Sequence, residues 1–258
     1  MNKTDSPEYL AKKSFFNRLI TVYGRKPVLE ILSDSSLEIF RLHLAESNRG
    51  GGIVEQIKAL AEQRKIEIWY HSREQLARIS RNSKQDQGVA CDIHCQGYEP
   101  YEQALEQLPV PAQRPLIALD GITNPQNLGM IIRSVTASPA HGLLLPSKGC
   151  ADIGPLVIKA SAGTLFKGNI LRCDSLASAL KAFKQKGFEI CTLSSHQATP
   201  LTEFKPTAPV IYVLGNETEG VSKEIAALSD HRVGIPMANG VESLNVAITA
   251  ALIAFKSL

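Results

Sequence analysis

At 258 residues the chain exceeds the ~100–200 typical of one domain, so two compact units are expected, with a single long α/β domain as the fallback. Hydrophobic residues at 44% and charged residues at 21% exclude a disordered, collagen-like or disulfide-scaffold protein. Lys and Arg number 28 against 25 Asp and Glu, and the resulting net charge of +3 is too small to demand a nucleic-acid partner by itself.

The five cysteines, at 91, 95, 150, 173 and 191, are odd in number and irregularly spaced, and the opening MNKTDSPEYLAKK lacks an apolar signal core. A reduced, cytoplasmic setting is expected. The longest apolar run, Val246 to Phe255, is interrupted by Thr249 and falls far short of the ~20 residues that span a bilayer, so no membrane partner is expected.

In chain order, residues 1–26 carry Lys3, Lys12, Lys13, Arg18, Arg25 and Lys26 against Asp5 and Glu8. Residues 1–19 are expected to form a basic arm without regular structure, either a solvated terminus or a nucleic-acid contact. Residues 20–95 alternate: KPVLEILS reads as a helix, LEIFRLHLA as a strand, GGGIVEQIKALAEQRK as a loop and helix, IEIWYHS as a strand, SREQLARIS as a short helix and GVACDIHC as a strand. Residues 96–114, with Pro100, Pro109 and Pro111, have the composition of a linker containing a short helical piece. From 115 to 258 a second alternation gives strands PLIALDG, HGLLLP, GNILRC, FEICTLS, PVIYVLG and HRVGIPM, and helices NLGMIIRSVTA, GPLVIKASAG, SLASALKAFKQKG, KEIAALS and SLNVAITAALIAF. Short, β-branched apolar strands of this kind suit a mostly parallel sheet covered on both faces, whose ligands bind in loops at the carboxyl ends of the strands.

Three such loops are polar and irregular. The first, from Asp120 to Ser134, turns at Asn124-Pro125 and enters a helix that Asn127 could cap. Between Pro115 and Leu145 the only formal charges are Asp120 and Arg133. Arginine in the apolar helix MIIRSV calls for a partner or a functional role. Its guanidinium could pass the bare Gly129 to lie over the Asn124–Asn127 turn, bridge to Asp120, or snorkel to the surface. The second loop, Gly215-Asn216-Glu217-Thr218-Glu219-Gly220-Val221-Ser222, imitates a phosphate loop but has Val221 where the lysine should stand, and no G-x-G-x-x-G follows any expected strand. Glu217 is then either functional or a carboxylate serving the amides before KEIAALS. In the third loop, Ile235 to Asn245, Ser243 could be a helix N-cap, whereas Asn245 is less easily explained that way. The helix that follows is apolar on nearly all sides, as expected of one buried in its own domain and against a partner.

NPQNLGMIIRS, VLGNETEGVS and IPMANGVESLNVAITAALIAF, in this order and supported by KASAG at 159–163, closely resemble the three motifs of the SpoU (TrmH-like) branch of the SPOUT superfamily of RNA methyltransferases. GRKPVLEIL and Asp86-Gln87-Gly88-Val89-Ala90 are similar to parts of the small, ribosomal-protein-like α/β/α RNA-binding domain that precedes the catalytic domain in some members, with Asp86 where the family usually has histidine. The resemblance implies an α/β fold with a C-terminal SPOUT domain (115–258) carrying a deep trefoil knot, an RNA substrate-binding domain at 20–95, and transfer of a methyl group from S-adenosyl-L-methionine to a ribose 2′-hydroxyl of rRNA or tRNA. It further implies a homodimer formed through the knotted domain, and no metal. By motif position it assigns Asn127, Arg133, Glu217, Ser243 and Asn245 to catalysis, and Leu214, Gly215, Asn216, Ile235, Met237, Ser243, Leu244 and Val246 to cofactor binding. Glu217 and Ser243 would hold Arg133 and the carboxylate region of the cofactor. Two alternatives are a non-catalytic RNA-binding or ribosome-assembly protein on the same fold, and methylation of a base.

Cys91, His94 and Cys95 lack a second ligand pair, and a strand puts the two cysteines on one face with His94 opposite, so they are expected in the core rather than on a metal. His71, beside Trp69 and Tyr70, could stack on RNA bases or belong to an amphipathic strand. Gly50-Gly51-Gly52 next to Arg49 is a flexible loop that could follow RNA contours.

Overall fold

The computed structural model describes residues 7–48, 51–107, 114–194 and 198–256. It divides into two compact units, Met1–Tyr98 and Glu99–Leu258.

The first unit begins with helix α1 (Pro7–Asn17), where the sequence pattern predicts an arm without regular structure; residues 1–6 of that arm lie outside the described residues. Phe15 and Phe16 both meet Phe40 edge-on, at 5.0 and 5.9 Å between ring centroids, so aromatic packing rather than charge anchors this segment. Strands β1 (Leu19–Tyr23), β2 (Glu38–Ala45), β3 (Glu67–His71) and β4 (Val89–His94) form one sheet in the order β1-β4-β2-β3. The first two pairings are antiparallel and β2–β3 is parallel. Three helices complete the unit: α2 (Arg25–Ser33), α3 (Ile53–Gln63) and α4 (Arg73–Ser80). Ser72 and Gln75 close a capping box on α4, which fixes where β3 ends and the helix starts. Asp86 is buried and accepts from the Ser80 hydroxyl and the Gly88 amide, both at 2.9 Å, so it organises the turn before β4. Cys91 and Cys95 are buried, whereas His94 bonds Glu38 and stacks on Phe15; among the described residues no group of three His, Cys, Asp or Glu could hold a metal.

β5 (Tyr98–Pro100), which starts at the last residue of the first unit, and α5 (Tyr101–Gln107) occupy part of the span read as a linker, and residues 108–113 lie outside the described residues. There follow β6 (Leu116–Leu119), α6 (Pro125–Ala137), β7 (Gly142–Pro146), α7 (Pro155–Ala160), β8 (Ile170–Cys173), α8 (Leu176–Gln185), β9 (Glu189–Leu193), β10 (Thr199–Pro200), β11 (Val210–Leu214), α9 (Lys223–Ala226), β12 (His231–Gly234) and α10 (Val246–Ala254). The eight strands lie in the order β10-β12-β9-β11-β6-β7-β8-β5, and each pairing from β10 to β8 is parallel. β6, β7 and β11 are buried at every position, as a sheet covered on both faces requires. One core, built on Phe183, Leu180, Ile190, Ile211 and Val213, lies under α8. Among the described residues no helix is long and apolar enough to cross a membrane.

Helices α6 and α7 approach closely at Gly129, where a Cβ would lie 2.5 Å from the Ala160 Cβ and 2.6 Å from the Val157 carbonyl oxygen. The missing side chain therefore serves helix packing, not passage of the Arg133 side chain. Gly129→Ala should gain about 1 kcal/mol of helix propensity and lose roughly 1–3 kcal/mol to overpacking. A net drop in stability of up to about 2 kcal/mol is expected in urea unfolding, and a raised midpoint would contradict the packing role.

Candidate active site

The carboxyl ends of β6 and β11, which are neighbours in the sheet, carry the first and second loops. Past the strands, the Asp120 amide donates to the Leu214 carbonyl at 2.8 Å, and the Asp120 carboxylate accepts from the Ser222 amide at 2.7 Å. Asp120 is thus committed to the second loop and forms no bridge to Arg133. The second loop folds back as a miniature hairpin in which Asn216 and Gly220 exchange backbone hydrogen bonds of 3.0 and 2.9 Å. The Asn216 side chain fixes that hairpin internally through the Thr218 amide and externally through the Gly121 carbonyl, at 2.8 and 2.9 Å. Gly215 is required here, because a Cβ would overlap the carbonyl carbon of Gly220 and the amide of Val221.

Asn124, not Asn127, caps α6: its side-chain oxygen accepts from the Gln126 and Asn127 amides, and Pro125 follows at the first helical position. This leaves the Asn127 side-chain amide available for another use. Asn127 is 7% exposed; its NH2 donates to the Glu217 carboxylate, and its oxygen accepts from the Asn245 side-chain NH2 at 3.1 Å. Asn245 in turn caps α10 by accepting from the Ala247 amide at 2.8 Å. The assignment of α10 capping to Ser243 is corrected accordingly. Glu217 is not spent on the start of α9, so its alternative reading as a helix-start carboxylate is corrected as well.

Asn127, Glu217 and Asn245 therefore come together, one from each loop. Ser243 is exposed and has no hydrogen-bond partner among the described residues. Arg133 is also exposed, without a hydrogen bond or ion pair among them, and does not lie on Glu217 or the Asn124–Asn127 turn as expected. Six residues along a helix carry Arg133 about 240° round the axis from Asn127, toward another face. Of the positions expected at the cofactor, Leu214 and Val246 are buried, Gly215, Asn216, Ile235 and Leu244 half-buried, and Met237 37% exposed. Backbone groups of a tight glycine hairpin beside small apolar side chains suit an adenosine and a methionine chain held chiefly by main-chain hydrogen bonds, so the residues fit the expected cofactor. The capping signal at Asn124 was available in the sequence, since Asn followed by Pro at the first helical position marks that boundary.

A mostly parallel α/β sheet with polar loops gathered at its carboxyl edge, joined to a separate small α/β unit, defines a two-domain α/β architecture with a ligand site at the strand ends. Residues 114–255 match the SpoU rRNA Methylase family, and residues 21–98 match the RNA 2′-O ribose methyltransferase substrate binding family. The chain is 32% identical over 233 residues to an uncharacterized tRNA/rRNA methyltransferase of Mycolicibacterium smegmatis, covering 90% of this chain and 74% of that one. It resembles in fold the SpoU methyltransferase AviRb from Streptomyces viridochromogenes in complex with AdoMet, with TM-score 0.62, 22% identity and coverage of 98% and 92%. An AdoMet-bound rRNA methyltransferase from Sinorhizobium meliloti is similar too, with TM-score 0.61, 23% identity and coverage of 98% and 90%. The chain belongs to the SpoU methylase family and is an S-adenosyl-L-methionine-dependent RNA methyltransferase.

Removing the Asn127 amide would break both hydrogen bonds at once and leave the exposed Glu217 and Asn245 to water. Asn127→Ala should cost about 1–3 kcal/mol. Hydrogen exchange should speed up in both 215–222 and 243–247, and an effect confined to the first loop would show that Asn127 does not join the three.

Proposed function

We propose that the chain methylates a ribose 2′-hydroxyl in rRNA or tRNA, with rRNA the first candidate, in the cytoplasm. The observation that carries this reading is the Glu217–Asn127–Asn245 chain of hydrogen bonds, which gathers one polar residue from each of three distant loops. A protein that only bound RNA would have no need of that assembly, and this disfavours the non-catalytic alternative.

S-adenosyl-L-methionine, when bound, supplies an electrophilic sulfonium methyl group, and the ribose 2′-oxygen that accepts it loses its proton as the new bond forms. Leu214, Gly215, Asn216, Ile235, Met237, Ser243, Leu244 and Val246 hold the cofactor. Asn127 keeps the three loops in one arrangement, with Glu217 and Asn245 as its two partners, and so positions the reacting groups. Arg133 is proposed to grip the RNA phosphate and stabilise negative charge developing on the 2′-oxygen. A guanidinium is effectively never deprotonated in proteins, so the proton passes to phosphate or water and not to Arg133. Its exposed, unpaired state is what a phosphate ligand requires. Arg133→Ala should bind cofactor in calorimetry with unchanged affinity and lose at least ~100-fold in methyl transfer to RNA, the scale of one charge-stabilising donor. Transfer at the wild-type rate would remove Arg133 from the reaction.

The functional unit is proposed to be a homodimer through the knotted C-terminal domain. Ile248 and Leu252 of α10, its C-cap Phe255 and Met130 of α6 are exposed by 39–53%, an apolar face that a second copy would cover. In such a dimer the exposed Arg133, one turn from Met130, sits at the interface margin. Ile248→Glu combined with Leu252→Glu should convert the dimer to a monomer in light scattering; a wild-type chain that scatters as a monomer at micromolar concentration would overturn this arrangement.

A further inference from the structure

The four-stranded sheet of the first unit has one apolar face, which packs on α2 and α3, and a second face that α4 covers only in part. The register fixes which side chains share that second face. Thr21, Asp92, Arg41 and Glu67 form one row across β1, β4, β2 and β3, and His43 and Trp69 stand together in the next. Leu76 of α4 packs on Ala45 and on Ala90, which pairs with His43 in the second row, and Phe15 of α1 stacks on His94 beyond the first row, so the cover leaves Trp69 exposed on β3.

What remains open is an aromatic and polar surface in a fixed arrangement. The Arg41 guanidinium lies 3.4 Å above the centre of the Trp69 ring and is tied to Glu67 at 3.1 Å. The Trp69 indole N–H and the Arg41 guanidinium beside it hold the Glu67 carboxyl below its ordinary range. Behind it, His43 is 4% exposed and bonds His71 at 2.9 Å and Asp92 at 3.0 Å, with Thr21 donating to Asp92 at 2.6 Å. The ring plane of Trp69 is thus set before any ligand arrives, yet the residue stays 42% exposed. No step of the methyl transfer uses it.

We infer that this face is a stacking platform on which Trp69, backed by Arg41, receives an unpaired base of the RNA. A partner protein would favour a contiguous apolar patch, whereas the indole is flanked by Arg41, His43 and His71, and the nearby Phe40 ring lies against the same Arg41 guanidinium. An isolated, prealigned indole in a polar surround matches a planar ligand with apolar faces and hydrogen-bonding edges, which is what an unpaired nucleobase presents. Arg41, on the ring's other side, holds the indole plane through a cation–π contact. The inference rests on the proposed action on RNA and names the feature of RNA that the first unit takes: a single-stranded or flipped-out nucleotide, not a continuous duplex.

Trp69 is the sole tryptophan of the chain, so its fluorescence reports on this surface alone. The probes are a fluorescein-labelled (CA)-repeat oligoribonucleotide, which cannot self-pair, and a blunt duplex RNA of equal length, titrated into the full chain without cofactor at fixed salt. The single strand should quench Trp69 and the duplex should not. By anisotropy, Trp69→Ala should weaken single-strand binding by about 5- to 100-fold, the scale of one base–aromatic stack, while Trp69→Phe restores most of it. Equal affinities for wild type and Trp69→Ala, or equal quenching by duplex and single strand, overturn the platform. Methyl transfer to total RNA by the same wild-type preparation separates the two readings. Transfer with no effect of Trp69→Ala sinks the platform alone, and quenching without transfer sinks the reaction alone.

Discussion

The catalytic end of this protein depends on a single buried side-chain amide. Asn127 offers a donor and an acceptor on one amide, and each is satisfied by a residue from a different loop, Glu217 and Asn245, 90 and 118 positions away in sequence. A buried amide left half-bonded costs more than the bond returns, so each of the three loops is constrained to the place that completes the other two. The surrounding hydrogen bonds follow from that constraint. Asn124 takes over capping of α6 and releases Asn127; Asn245 uses its oxygen to cap α10 and its NH2 to reach Asn127; and Asp120 and Asn216 bind the first two loops beneath them.

The architecture was legible wherever hydrophobic pattern and packing agree. The buried strands around β6, β7 and β11 and the amphipathic α8 were readable as short β-branched runs and as a 3.6-residue period. Helix α1 was not, because its apolar residues, Tyr9, Leu10, Ala11, Phe15 and Phe16, form no clear 3.6-residue stripe and Lys12 and Lys13 interrupt them. Its anchor, the Phe15–Phe40 contact, is a tertiary fact with no local signature. The two-residue β10 and three-residue β5 lack the length for any periodicity to register and exist only because a neighbouring strand end accepts them.

At the site, residue types were legible and their pairings were not. Motif position placed Asn127, Glu217 and Asn245 among the functional residues, but only the fold shows that they meet. For Arg133 the sequence left three placements open, over the Asn124–Asn127 turn, on Asp120 or at the surface, and only the fold selects the surface, because a lone arginine in an apolar helix signals polarity without direction. Gly129 misled here: a glycine four residues before Arg133 reads as clearance for its side chain, yet the space is already filled by Ala160 and the Val157 carbonyl.

A net charge of +3 leaves little long-range attraction for a polyanion. Affinity for RNA in such a chain has to come from short-range, geometrically specific features that lose little when screened by salt. The two units supply different ones. The catalytic domain presents uncharged amides and an unpaired Arg133 around a rigid set of loops, suited to one phosphate and one ribose rather than to a length of backbone. The first unit presents a prealigned indole with its cation already neutralised by Glu67, and this removes the nonspecific electrostatic pull that a bare arginine would exert on any duplex. On the stacking proposal, selectivity for a distorted or single-stranded site would come from what the surface declines to bind: paired bases expose no face for Trp69 to stack on, and a nearly neutral chain gives them little compensating attraction.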